Sequence, residues 1–298
     1  MPTYQTLEPI TATIELAVGT VRLVASDRQD TVVAVHPSDD SQESDVRVAE
    51  QTRVEYSAGR LLIKAPKQRG LSLFGRTGSI DVTVECPAGS NLEGEAAIAE
   101  FRGLGRLGEC RIKIATGDVH LDETGPLHLS TGAGAIVINR VDGDATVSTA
   151  SGKIRLGHID GNAVIKNSNG DNLIGEVTRD LQVKTANGDV VIDRAGAGVN
   201  AATANGNVRV GEVVRGRTAL KSGFGKIEIG IRPGTAALLN VHTAHGKVRN
   251  HMDAVDGPQP SDATVDVRAH TGFGDIVISH SQAPGESSLD SEPSGSTA

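Results

Sequence analysis

The chain has 298 residues, a net charge of −8 at pH 7 and no tryptophan, and aromatic residues make up 2% of it. An acidic chain with dispersed basic residues and no aromatic–basic interleaving lacks the make-up of a nucleic-acid binder. No apolar run reaches the ~18 residues of a transmembrane segment. The start, MPTYQTLEPITATIEL, has neither the basic region nor the apolar core of a secretory signal, so a cytoplasmic location is expected.

Residues 11–35 and 46–85 read as strands of uneven spacing. TATIELAVGTVRLVAS carries a glycine-centred phrase at Gly19, and SIDVTVEC alternates through Ile80, Val82 and Val84. The polar connection HPSDDSQESD (36–45) between them reads as a loop. One stretch stands apart: KQRGLSLFGRTG (67–78) presents Leu71, Leu73 and Phe74 between glycines, with Lys67, Arg69 and Arg76 as basic shoulders. Such a tip either docks on a partner or membrane surface or folds back over an open core. We take 1–88 as an N-terminal β region that caps whatever follows, since open sheet edges invite association.

From 89 onward a repeat emerges. Residues 89–116 look like a degenerate copy. Gly117, Gly134, Gly152, Gly170, Gly188, Gly206 and Gly225 then follow at steps of 17, 18, 18, 18, 18 and 19. Apolar residues stand two and four positions after each glycine and again near eleven and thirteen, as in Ile154, Leu156, Ala163 and Ile165. Period-two alternation of this kind makes strands, and the density of Gly and Asn disfavours a helix. Neither half of the 18-residue unit can bury its apolar face alone, whereas stacked copies can. The expected fold is therefore all-β: a parallel β-helix-like β-solenoid of 18-residue coils over 89–280. An antiparallel meander of hairpins also fits the half-unit, and it differs in the direction in which residues one period apart pair.

Asn-Gly at 169–170, 187–188 and 205–206 suits a corner needing positive φ. Three positions before the glycine stand Thr131, Thr149, Asn167, Thr185, Thr203 and Ser222, expected to form a side-chain hydrogen-bond ladder along one edge. Further copies centre on Gly246 and Gly274, with extra length in the Pro- and Asp-rich 250–263. The final strand, 264–279, carries nothing to blunt its edge. The Ser-, Pro- and Gly-rich 281–298 reads as a disordered tail.

The recurring T-x-x-G-[DKN]-[IV]-x-[IVL] phrase and the Pro-Ala-Gly-Ser turn at 87–90 resemble a bacterial β-strand-repeat family that carries a domain of unknown function, labelled "putative adhesin". The resemblance covers roughly 10–280. It implies a β-repeat architecture and supplies no catalytic residues.

Chemistry is sparse. Stacking by one period puts Asp171 near Asp189, with Lys153 below and Asn207 above, but further acidic ligands for Ca²⁺ are missing, so a solvated edge is expected. Of the scattered histidines only His242 and His245 are close, and in a strand they face opposite ways. Cys86 and Cys110 lack C-x-x-C spacing and read as reduced core fillers. No catalytic, metal or cofactor site is assigned, and the chain is expected not to be an enzyme. The expected role is a scaffold for protein partners or for self-assembly, with Leu71, Leu73 and Phe74 as the contact loop. The alternatives are a carbohydrate-binding cell-surface adhesin, and a polysaccharide-acting or metal-dependent enzyme built on a β-helix.

Overall fold

The computed structural model describes residues 2–66, 77–252 and 263–281. Leu71, Leu73 and Phe74 lie outside the described residues, as does the tail beyond Ser281.

Each 18-residue unit folds as two strands joined at the glycine. Leu127–Ala133 and Ile136–Val141 form one such coil. Leu127–Ala133 pairs in parallel with Ala145–Ser151, that strand with Ala163–Asn169, and so on through Leu181–Asn187, Val199–Asn205 and Gly216–Phe224. These strands make a first sheet. The second halves pair likewise into a second sheet. Residues one period apart thus pair in parallel, which settles the choice between solenoid and meander. The inward residues of both sheets, such as Leu129, Val147, Ile165 and Val183 against Ile138, Leu156, Ile174 and Ile192, are 3% exposed or less.

The corner explains the glycine. Gly152, Gly170, Gly188 and Gly206 have φ of 151°, 136°, 133° and 150°. Space is equally limiting: a Cβ on Gly188 would lie 2.2 Å from the Gly170 carbonyl oxygen, and one on Gly170 2.1 Å from that of Gly152. The glycine column is therefore demanded twice, by conformation and by close approach.

The threonine position corrects the expected side-chain ladder. Residue −3 has inward parity, so Thr131, Thr149, Asn167 and Thr203 are each only 5% exposed. A buried hydroxyl needs an acceptor. Thr131 Oγ1 donates to the Ala133 carbonyl of its own coil (3.2 Å), Thr149 and Thr185 have no partner among the described residues, and in later coils the acceptor is the corner carbonyl of the preceding coil. Thr203 Oγ1 donates to the Gly188 carbonyl (3.1 Å) and Ser222 Oγ to that of Gly206 (2.8 Å). The side-chain ladder stands instead at position −1, where Asn187 Nδ2 donates to Asn169 Oδ1 (2.7 Å) and Asn205 Nδ2 to Asn187 Oδ1 (2.8 Å).

Both ends depart from chain order. Thr11–Ser26 is a single long strand passing through both sheets, with Gly19 (φ 153°) at its corner. One side of it pairs with Asn91–Arg106, the other with Arg60–Lys64 and Ile80–Pro87. Antiparallel strands then close that end: Asp30–Pro37 on Ile80–Pro87, Thr3–Gln5 on Asp30–Pro37, and Arg53–Ser57 on Arg60–Lys64. Residues read as loop and strand contain a helix, Glu43–Gln51. Its acidic first turn and the i,i+4 pair of Glu43 with Arg47 favour that state over the alternation of Val46 and Val48.

At the other end the expected order is also revised. Gly216–Phe224 pairs with Ala263–Phe273, not with Thr235–His245, which forms the outermost rung beyond it. The chain skips one rung, lays down Thr235–His245 and Val248–Asn250, and returns to fill the gap with Ala263–Phe273 and Ile276–His280. The edge strand is consequently 235–245, and 264–279 lies inside the stack.

Gly188→Ala is expected to destabilise the fold by more than the roughly 1–3 kcal/mol of a residue forced into a sparsely populated conformation, because the Cβ also collides with the Gly170 carbonyl. Ala186→Ser, on the exposed face of the same coil, should stay within about 0.5 kcal/mol of wild type. Equilibrium urea unfolding of the two variants checks both values.

Candidate functional site

The acidic corner column lies where the spacing put it, and its carboxylates have structural work. Asp171 Oδ1 accepts the Asp189 backbone N–H (3.1 Å), Asp189 Oδ1 that of Asn207 (2.7 Å), and Asn207 Oδ1 that of Lys226 (2.8 Å). Each carboxylate or amide at +1 here thus satisfies the backbone N–H of the next coil. Asp144 does the same at the opposite corner: the Asn162 N–H (2.8 Å) holds its carboxyl below the usual carboxylate range. Among the described residues no group of three His, Cys, Asp or Glu side chains is placed to hold a metal ion.

His242 and His245 fall in different columns. His242 stacks on His270 at 5.4 Å, whereas His245 stacks on Phe273 at 4.4 Å. Phe273 in turn stacks on Phe224, with centroids 4.9 Å apart and planes 3° apart. This corner stack replaces the asparagine ladder at the C-terminal end, and it leaves Phe224 58% and Phe273 47% exposed. Reading the sequence one coil at a time missed it. The signal was present in the paired phrases SGFGKI (222–227) and TGFGDI (271–276), which put Phe at position −1 twice.

Cys86 and Cys110 are free and fully buried. Burial pushes both thiols up, Cys110 to about 11. On the outer surface of the second sheet, a depression of about 740 Å³ is lined by Arg194, Arg209, Glu212, Glu228 and His280. Its charges are spent on one another. Arg194 bridges Glu176 and Glu212 at 3.1 Å each, and Ser281 Oγ donates to Glu212 (3.0 Å).

The feature least explained by folding is the C-terminal end. Among the described residues, Thr235–His245 and Val248–Asn250 each pair on one side only. Ala237, Leu239 and Val241 have inward parity yet are only partly buried. Their register partners one rung inward, Val265, Val267 and Ala269, are 2%, 0% and 4% exposed. Val248 is 44% exposed, while its partner Ile276 is fully buried. At the N-terminal end, by contrast, antiparallel strands, the helix and a Tyr4–Tyr56 ring contact at 5.0 Å close the core.

With the parallel stack of glycine-cornered coils in place, residues 11–222 match the family described as Toastrack DUF4097, well over half of the chain. The chain belongs to the Toastrack DUF4097 family. The match begins at the long strand Thr11–Ser26, so the Toastrack unit includes both the N-terminal rungs and the regular coils. Among solved structures it is similar to a "putative adhesin" from Parabacteroides distasonis (15% identity, 93% of this chain and 95% of that one, TM-score 0.41). It is also similar to one from Bacteroides fragilis (14% identity, 93% and 95%, TM-score 0.40). A "putative lipid binding protein" from Parabacteroides distasonis is more distant (12% identity, 93% and 95%, TM-score 0.33). No curated protein matches the chain.

The buried thiols give a direct check on this packing. In the native protein at pH 8, both cysteines should resist a thiol-specific reagent for hours, and both should react within minutes in denaturant. Rapid labelling of either in the native state would show that its strand is not packed as described.

Proposed function

We propose that this Toastrack protein is a non-enzymatic scaffold that works by association through the uncovered C-terminal rung. The occupant is a second copy or a protein partner, and the cytoplasm is the proposed compartment. The observation that carries the reading is the half-buried core of the last rung, Leu239, Val241 and Val248, beside a strand edge that pairs with nothing among the described residues. Such an edge adds a strand from another chain at low cost, because backbone partners and apolar cover arrive together. The opposite end has its antiparallel strands and helix, so among the described residues the stack has one sealed and one open terminus.

The adhesin alternative draws less support. A sugar platform needs an open aromatic face, and the rings of Phe224 and Phe273 cover each other, with His245 over the outer one. The enzyme alternative finds its best carboxylates, Asp171 and Asp189, already bonded to backbone amides.

Sedimentation of the full chain over a wide concentration range should show association that Leu239→Lys with Val248→Lys abolishes, with circular dichroism unchanged. A wild-type monomer at every concentration removes the self-association form. The partner form then requires capture of one specific protein from the native host that the same double variant loses, and retention by the variant would refute it. Cell fractionation tests the compartment.

A further inference from the structure

Stacking gathers the basic residues that look dispersed in the sequence. On the outer face of the first sheet one column runs, rung by rung, through Lys113, Ser130, Ser148, Lys166, Lys184, Ala202, Lys221, His270 and His242. Lys166 and Lys184 are direct register partners, so their stems start about 4.8 Å apart. Among the described residues no carboxylate pairs with Lys113, Lys166, Lys184 or Lys221. From Cys110–Thr116 onward the acidic side chain facing outward from this sheet's strands is Asp266, and it pairs with Arg217 (3.3 Å) and Arg268 (3.2 Å). The acidic outward residues, Glu15, Glu93 and Glu95, are confined to the N-terminal rungs. In a chain of net charge −8, this is a strong segregation of sign.

The second sheet shows what charge compensation looks like in the same fold. Its outer column alternates His158, Glu176, Arg194 and Glu212, paired at 3.3, 3.1 and 3.1 Å. The first sheet has no such ladder. On the corner side of its lysines runs a line of small residues, among them Ala150, Ser168, Ala186 and Ala204, while the other flank carries Val164, Gln182 and Asn200. At the corner bordering the same face stand the exposed rings of Phe224 and Phe273.

We propose that the outer face of the first sheet docks on an anionic lipid bilayer. The unpaired cations form one column, and the exposed rings at the bordering corner add an apolar contact that a bilayer would use and a linear polyanion would leave unused. Each lysine near an anionic leaflet adds attraction, and the rings add apolar contact at the headgroup boundary. The lysines that carry this surface lie on rungs inside the C-terminal one, so their variants test it apart from the terminal rung.

The test uses the full chain in co-sedimentation with vesicles of phosphatidylcholine alone or with added phosphatidylserine. Binding is expected only to the anionic vesicles, and it should be lost in about 1 M salt, where charges are screened beyond about 3 Å. Lys166→Ala, Lys184→Ala and Lys221→Ala together should weaken binding about a hundredfold. Phe224→Ser with Phe273→Ser should weaken it further without changing its salt dependence. All variants should keep the wild-type circular dichroism spectrum. Equal binding to neutral and anionic vesicles, no vesicle binding, or an unaffected triple lysine variant would each overturn the proposal. So would retention on an acidic polysaccharide resin without vesicle binding, which would assign the face to a different polyanion.

Discussion

The close approach of one corner carbonyl to the bare α-carbon of the next glycine governs this molecule. With a Cβ on Gly225, Gly206 or Gly188, that carbonyl oxygen would be 1.9 to 2.2 Å away. Because only glycine allows the contact, the coil length is pinned at the corner and register follows along both strands. Each inward residue then lies over its equivalent, and a thin core of Ile, Val, Leu and Ala suffices. At Thr203, Ser222 and Thr271 the hydroxyl at position −3 belongs to the same device, because it donates to the carbonyl that the glycine exposes.

The device is incomplete at three coils: Thr131 bonds within its own coil, and the Thr149 and Thr185 hydroxyls have no partner among the described residues. At Thr185 a neighbouring substitution stands beside the gap. Asn167 occupies a threonine position, and its Nδ2 donates to the carbonyls of both Gly152 (2.9 Å) and Gly170 (3.1 Å). Asn172, fully buried in the column of Ile154 and Val190, also donates to Gly170 (3.2 Å). With that carbonyl taken twice, Thr185 directly above has no acceptor left, and its hydroxyl is unsatisfied. A buried amide pair in one coil thus leaves a polar debt in the next, of about 1–3 kcal/mol on general grounds.

A solenoid built this way has two distinct ends and two distinct faces. Antiparallel strands and a helix seal the N-terminal end, because a parallel stack cannot terminate itself with another identical rung. Among the described residues the C-terminal end stops with its core half covered. On the second sheet, charges of opposite sign stand one rung apart and neutralise one another. On the first, lysines stand over lysine, serine and alanine. Differences of end and face, not any cluster of reactive groups, are what the molecule offers to its surroundings.

The regular coils were legible in the sequence because their constraint is local. A glycine every eighteen residues, with apolar residues at fixed offsets, reports a corner that recurs and a core position that recurs. The inward parity of Thr203 or Ser222 follows from the same alternation, although the choice of a backbone acceptor over a neighbouring side chain needed the corner geometry. The helix at Glu43–Gln51 was hidden because Val46 and Val48 alternate as a strand would, and only packing of Val48 against the N-terminal rungs gives the helix its buried side. The aromatic stack, the cationic face and the open rung were out of reach for a different reason. They depend on which rung lies beside which, and at both ends spatial order departs from chain order. Composition and period thus determined the coil, while only the assembled stack decided that Thr235–His245 lies outermost and that Lys166, Lys184 and Lys221 share one column. The physical reason is that a repeat encodes its contacts with an equivalent neighbour but not which neighbour, nor where the stack ends.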